Sequence, residues 1–158
     1  MSRDFEKLTK KIVEEVKKAS PNLQQAVINH GTRNRIKGAS GFNHQIDVSI
    51  EIPSEKLYLI ECKRYMSKVT LSDMLVLIAR IDDISKNNNI KVIGTFFTTM
   101  GYTKPAKKVA SCYNIELNTV KNLKHFAVQV AGNVFVKAEP IKINCNISGS
   151  FLKDQNNA

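Results

Sequence analysis

"HQIDVSIEIPSEKLYLIECKRY", residues 44–65, sets two apolar runs around the turn "PSEK" and then interrupts the hydrocarbon with charge. Asp47 heads the first run, and Glu61 and Lys63 close the second. Along "QIDVSIEI" the residues alternate with the period of a strand, so Val48, Ile50 and Ile52 take one face and Asp47, Ser49 and Glu51 the other. "LYLIECKRY" is a continuous apolar strand of the kind found in the middle of a sheet, with Leu57, Leu59, Glu61 and Lys63 on one face. Paired antiparallel, the two strands bring Asp47 and Glu61 to one point.

Two converging carboxylates suit a hard divalent cation, which prefers oxygen ligands and keeps several waters. Asp47, Glu61 and the main-chain carbonyl of Cys62 make a half-shell for Mg²⁺, with Mn²⁺ as a substitute. Lys63, on the same face as Glu61, is placed to contact a scissile phosphate or to help deprotonate an attacking water. The bland alternative is a salt-bridged cluster at a strand rim. Against it, "LYLI" running straight into "ECK" drives charge toward a partly desolvated place, where uncompensated ions are costly. Glu51 shares a face with Asp47 but lies roughly 13 Å away along the strand, and is left out of the site.

Outward from this hairpin, residues 3–19 show Phe5, Leu8, Ile12 and Val16 at helical spacing, an amphipathic helix with Glu14 pointing away and Glu6 and Glu15 on the stripe's borders. "LQQAVINHGTRNRIKGASGFNH" opens with a short strand or helix extension and continues as a basic loop holding Arg33, Arg35 and Lys37. After Thr70, an N-cap, "LSDMLVLIARIDDISK" carries Leu71, Met74, Leu75, Ile78 and Ile81, flanked by Leu77 and Ile84, as a buried helix. "IKVIGTFFTT" is a buried strand. "YTKPAKKVASCYN" is a helix capped by Thr103 with Pro105 in its first turn, and "IEL" is a short strand. Strand, helix, strand, helix, strand implies right-handed crossovers and a sheet with parallel members. The tail from His125 alternates around Gly132-Asn133 as a β-hairpin extension, and "KDQNNA" is expected to be disordered.

The 158 residues suit one α/β domain with a real core. There are 24 Lys and Arg against 14 Asp and Glu, a net charge of +10 that suits a polyanionic partner such as nucleic acid. No apolar run approaches a membrane span, and the N-terminus lacks the apolar core of a signal peptide, so a cytoplasmic location is expected. Cys62, Cys112 and Cys145 form no C-x-x-C pair and are expected to be reduced, mostly buried thiols.

"GFNHQIDVSIEI", the 14 positions from Asp47 to Glu61, and "IECKRY" resemble the PD-(D/E)xK nuclease superfamily and, within it, the Mrr-type restriction endonuclease-like branch. "DFEKL" and "GTFFTTMGYTKPAKKVASCYNIEL" are similar to further segments of that branch, in the right order. The resemblance implies a restriction endonuclease-like three-layer α/β/α core with a mixed sheet over residues 1–120, the C-terminal β-rich extension of 121–158 packing on it. It further implies a Mg²⁺-dependent DNA endonuclease with Asp47 and Glu61 as metal ligands, Lys63 as the catalytic lysine and Glu6 as the first-helix acid, with Glu15 as the alternative. Gln45 takes the place of a polar side chain adjoining the site. Ile46 stands where the superfamily's motif has proline and is expected to pack in the core.

His44 is read as a hydrogen-bonding loop residue. The opening of the helix at Thr103, with Lys104, Lys107 and Lys108, offers N–H groups to a phosphate, against the simpler reading of a capped helix with a solvated basic face. Arg33, Arg35, Lys37, Arg64, Tyr65 and Lys104 are the candidates for holding DNA backbone. Two rivals stand beside this reading: a structure-specific nuclease such as a junction resolvase, and a non-catalytic DNA-binding protein that keeps the fold. A homodimer is the expected way to cut both strands, with the C-terminal hairpin a candidate interface.

Overall fold

The computed structural model describes residues 24–63 and 67–121, together with the helical positions Glu14 and Lys18. The hairpin at its centre follows the alternation of the sequence. Strand β4 (Val48–Ile52) pairs antiparallel with β5 (Lys56–Lys63), Val48 opposite Ile60 and Ile50 opposite Tyr58. The tight turn between them puts Ser54 in the left-handed region at φ 62°.

Strand β1 (Val27–His30) settles the first uncertain stretch as a strand, antiparallel to β4. On the other side of β5, α1 (Leu71–Asn87) and α2 (Lys104–Cys112) are the crossovers that make β6 (Lys91–Thr98) and β7 (Glu116–Thr119) parallel to it. The five strands run in the order β1-β4-β5-β6-β7. The sheet is mixed because β1, β4 and β5 are joined by residues 31–47 and a tight turn, and β5, β6 and β7 by helices.

Both caps form as the sequence predicts. Thr70 and Asp73 make a reciprocal capping box at the start of α1, and the Thr103 side chain accepts from the Ala106 N–H with Pro105 in the first turn of α2. One face of the sheet packs on these helices through Met74, Leu77, Phe96, Tyr102, Ala106, Ala110 and Ile115. A second cluster joins Ile46, Leu57, Leu59 and Ile84. Ile46 is therefore the packing residue expected of it. On the opposite face Val48, Ile50, Ile60 and Phe97 are buried as well, which is why β5 reads as an unbroken apolar run.

Three expectations need correction. Leu71 and Leu75 are exposed, while Met74, Leu77 and Ile84 of the same expected set are the residues that α1 buries. Apolar residues occupy nearly every position of "MLVLIARI", so the pattern alone could not phase the helix. The basic stretch after β1 is not a loop: β2 (Arg35–Lys37) and β3 (Asn43–Gln45) pair antiparallel into a small separate ribbon. Cys112, finally, is an exposed free thiol, and Cys62 is half-buried. The expected N-terminal helix, with Glu6, and the C-terminal hairpin lie outside the described residues, except that Glu14 and Lys18 are helical and exposed. Among the described residues no helix is long and apolar enough to cross a membrane.

Candidate active site

The β4–β5 register, carried one step past Val48 and Ile60, sets Asp47 across from Glu61. Asp47 Oδ2 accepts the main-chain N–H of Cys62 at 2.9 Å, so this carboxylate lies over the adjoining strand. Its carbonyl accepts the Gly31 N–H at 3.0 Å, which fixes the end of β4 to the loop after β1.

Glu61 and Lys63 point to the face covered by α1, and each finds a partner there. Glu61 Oε1 accepts from Arg80 Nη1 at 2.8 Å, with 15% of the Glu61 side chain exposed. Burial first, and then the negative charge of Asp47, push the Glu61 carboxyl up to about 7; Arg80 works in the opposite direction. Lys63 Nζ donates to Asp73 Oδ2 at 2.6 Å. The same oxygen accepts the N–H and hydroxyl of Thr70, both at 2.7 Å. Partial burial pulls the Asp73 carboxyl up, but the hydrogen bonds from Lys63 and Thr70 outweigh it and leave the group below its ordinary range. Glu61, Ser72, Asp73, Val76, Arg80 and Phe96 line a recess of about 230 Å³ beside these pairs.

The restriction endonuclease family model (Mrr_cat) matches residues 2–127. The chain belongs to this family of nucleases. Two solved structures share its fold. A protein of unknown function, AF1548, overlays with a TM-score of 0.51 at 23% identity, covering 84% of this chain and 70% of its own. Can2 from Sulfobacillus thermosulfidooxidans, solved in complex with cyclic tetra-adenylate, overlays with a TM-score of 0.51 at 17% identity, covering 80% of this chain and 34% of its own. This restriction endonuclease-family chain thus spans about a third of the Can2 chain. No protein with curated annotation matches its sequence.

In this family member the donor set Asp47 and Glu61 is all oxygen, drawn partly out of water and mutually repelling, which fits a hard divalent cation. Among the described residues no group of three or more His, Cys, Asp or Glu converges as a metal cage. Glu6, Arg64 and Tyr65 lie outside the described residues.

The remaining candidates are on the surface. Gln45 is exposed on β3, opposite Arg35. Arg33, Arg35 and Lys37 border an open groove of roughly 670 Å³ whose other wall includes Asn29, Ser49 and Glu51; neither Asp47, Glu61 nor Lys63 lines it. Lys104 is exposed in the first turn of α2. His44 bonds Asp83 Oδ2 through Nε2 at 2.6 Å, the hydrogen-bonding role read for it.

Asp73, Arg80 and Asp83, which meet Lys63, Glu61 and His44, are contacts that the sequence reading did not single out. Asp73 and Arg80 are seven residues apart in α1 and so lie on one side of it, two turns apart. That spacing puts the two on one side of α1 but does not tell which strand end each will face.

Proposed function

We propose that this nuclease is a divalent-metal-dependent DNA endonuclease whose centre is Asp47, Glu61 and Lys63, in a core spanning residues 1–120. The observation that carries the reading is the meeting of Asp47 and Glu61 at adjoining strand ends, with Lys63 on the Glu61 face. Asp47, Glu61 and the Cys62 carbonyl would hold the ion, Mg²⁺ with Mn²⁺ as a substitute, and Glu6 of the N-terminal segment would join them. When bound, such an ion polarises the scissile phosphate and acidifies water.

The chain's own groups do the rest. Lys63 exchanges Asp73 for the substrate phosphate, offering it a cation or taking part in proton transfer. Arg80 opposes the upward pull of burial and Asp47 on the Glu61 carboxyl and so favours its ionised, ligating form. Arg33, Arg35, Lys37, Arg64, Tyr65 and Lys104 contact the DNA backbone, Gln45 lies on the DNA-facing surface just ahead of Asp47, and a cytoplasmic homodimer provides two centres for two strands.

The test is cleavage of supercoiled, linear and branched DNA with Mg²⁺, Mn²⁺ or EDTA by the native protein, Asp47→Ala and Lys63→Ala. Metal-dependent cutting by the native protein that both variants lose supports the site, and preference for branched DNA would mark a structure-specific enzyme. Native protein that cuts none of these with any metal overturns the proposal.

A further inference from the structure

We infer that the β2–β3 ribbon is a sequence-reading element that enters the major groove of duplex DNA, with Arg35, Lys37, Asn43 and Gln45 as its base-contacting side chains. The inference rests on the nuclease reading for its partner and goes beyond it in assigning specificity to residues of this chain.

Register divides the ribbon into two faces. Arg35 pairs with Gln45 and Lys37 with Asn43, and all four side chains are exposed; Ile36 pairs with His44, and both are half-buried. Side chains directly across a strand pair share a face, so the outward face carries those four residues and the inward face carries Ile36 and His44. These four are two cations and two carboxamides. Arg and Lys are the side chains that pair with guanine O6 and N7, and Asn and Gln pair bidentately with adenine N6 and N7. A surface built only to hold phosphate needs the cations but gains nothing specific from two carboxamides beside them.

Size and placement agree with this use. A two-stranded ribbon is admitted by the major groove, which is about 12 Å wide. Phe42, 63% exposed at the ribbon's turn, presents the kind of apolar surface that meets a thymine methyl. β3 runs into Asp47 with only Ile46 between, so the Cα of Gln45 lies within about 7 Å of the Cα of Asp47. Bases read by the ribbon are therefore close to the phosphate that is cut.

The ribbon is also held firmly enough to discriminate. Ile36 packs against the cluster of Ile46, Leu57, Leu59 and Ile84. Asp83 of α1 accepts from the Ser40 N–H at 2.8 Å and the Ser40 hydroxyl at 2.6 Å, and bonds His44. The Asp83 carbonyl accepts the Ala39 N–H at 2.9 Å, and Asn87 Nδ2 donates to the Lys37 carbonyl at 3.1 Å. Gly38 is part of this fastening, because a Cβ there would stand 1.9 Å from Asp83 Oδ2.

The experiment is selection of a random-sequence duplex pool by the full chain in EDTA, which needs no cleavage, followed by mapping of cut ends with Mg²⁺ or Mn²⁺. The native protein is expected to enrich a motif of roughly two to four base pairs, since alternate side chains sit about 7 Å apart and base pairs about 3.4 Å. Asn43→Ala and Gln45→Ala each lower discrimination at one position by about five- to 150-fold and leave the salt dependence unchanged. Arg35→Ala, at a cation that also holds the backbone, lowers the salt slope by about one as well. Bound DNA that stays random, or a motif that both carboxamide variants retain, overturns the inference. Cutting without a motif leaves the nuclease standing and the reading ribbon refuted; a motif without cutting does the reverse.

Discussion

The two charged regions of this molecule are built on opposite terms. At the ends of β4 and β5 each charged group is met by a polar partner from the protein, half-buried, at 2.6 to 2.9 Å: Asp47 by the Cys62 N–H, Glu61 by Arg80, Lys63 by Asp73. On the β2–β3 ribbon Arg35, Lys37, Asn43 and Gln45 stand exposed, and the fastening is done from behind by the backbone, Ile36 and His44. The first region holds charge ready where water is scarce, which costs stability but concentrates electrostatic work. The second leaves its donors wet and available, which costs little until a partner arrives. The proposed chemistry and the proposed recognition thus fall in different dielectric surroundings within one short stretch of chain.

The comparison breaks most visibly at the acidic site. Asp47→Ala and Lys63→Ala are expected to lower the rate of cleavage by at least about 10²-fold, read by plasmid nicking, while leaving duplex binding by the ribbon nearly intact. Equal loss of binding would show the two regions to be one.

A stability measurement tests the cost. The Glu61 carboxyl is raised to about 7 in the folded chain, above the ordinary 4.5, so folding is favoured while the group is protonated and this advantage is lost as pH rises from about 4.5 through about 7. Glu61→Gln is therefore expected to abolish cleavage and yet stabilise the fold by about 1–3 kcal/mol at pH 8 relative to pH 4, measured by urea denaturation at both. A variant less stable at pH 8 than the native chain would refute the idea that ionised Glu61 is held at a cost.

The core beneath gives a further expectation. A Cβ on Gly94 of β6 would meet Ile81 Cδ1 at 2.2 Å and Ile115 Cδ1 at 3.1 Å, so Gly94→Ala forces these side chains to repack between α1 and the sheet and is expected to cost about 1–3 kcal/mol in urea denaturation.

Arg80→Ala sharpens the electrostatic half. Removing the guanidinium raises the Glu61 carboxyl further, so the acid limb of the rate profile moves to higher pH, and activity lost near neutrality is partly regained at alkaline pH. The smallest effect belongs to the ribbon: Asp83→Asn, at a carboxylate that hydrogen bonds from Ser40 and His44 hold at about 2, leaves cutting rates on short substrates unchanged but speeds amide exchange at Ser40.

What the sequence made legible follows from range. The 14 positions from Asp47 to Glu61 contain a complete hairpin, so local alternation and one turn suffice to bring the carboxylates together. Thr70 and Thr103 act within one helical turn and could be read as caps for the same reason. Asp73 with Lys63 and Arg80 with Glu61 join a helix to a strand, and no periodicity records which polar residue on α1 will face which strand end. The ribbon was illegible for a different reason: strands of three residues contain one alternation each, and their pairing rests on Asp83, which is 39 residues from His44.

Helix α1 also couples the two regions mechanically. It holds the lysine's anchor, Asp73, and the ribbon's anchor, Asp83, ten residues apart on one rod, a span of about 15 Å. A tilt of that rod against the sheet is therefore felt at Lys63 and at the ribbon together, and the helix works as a yoke between them.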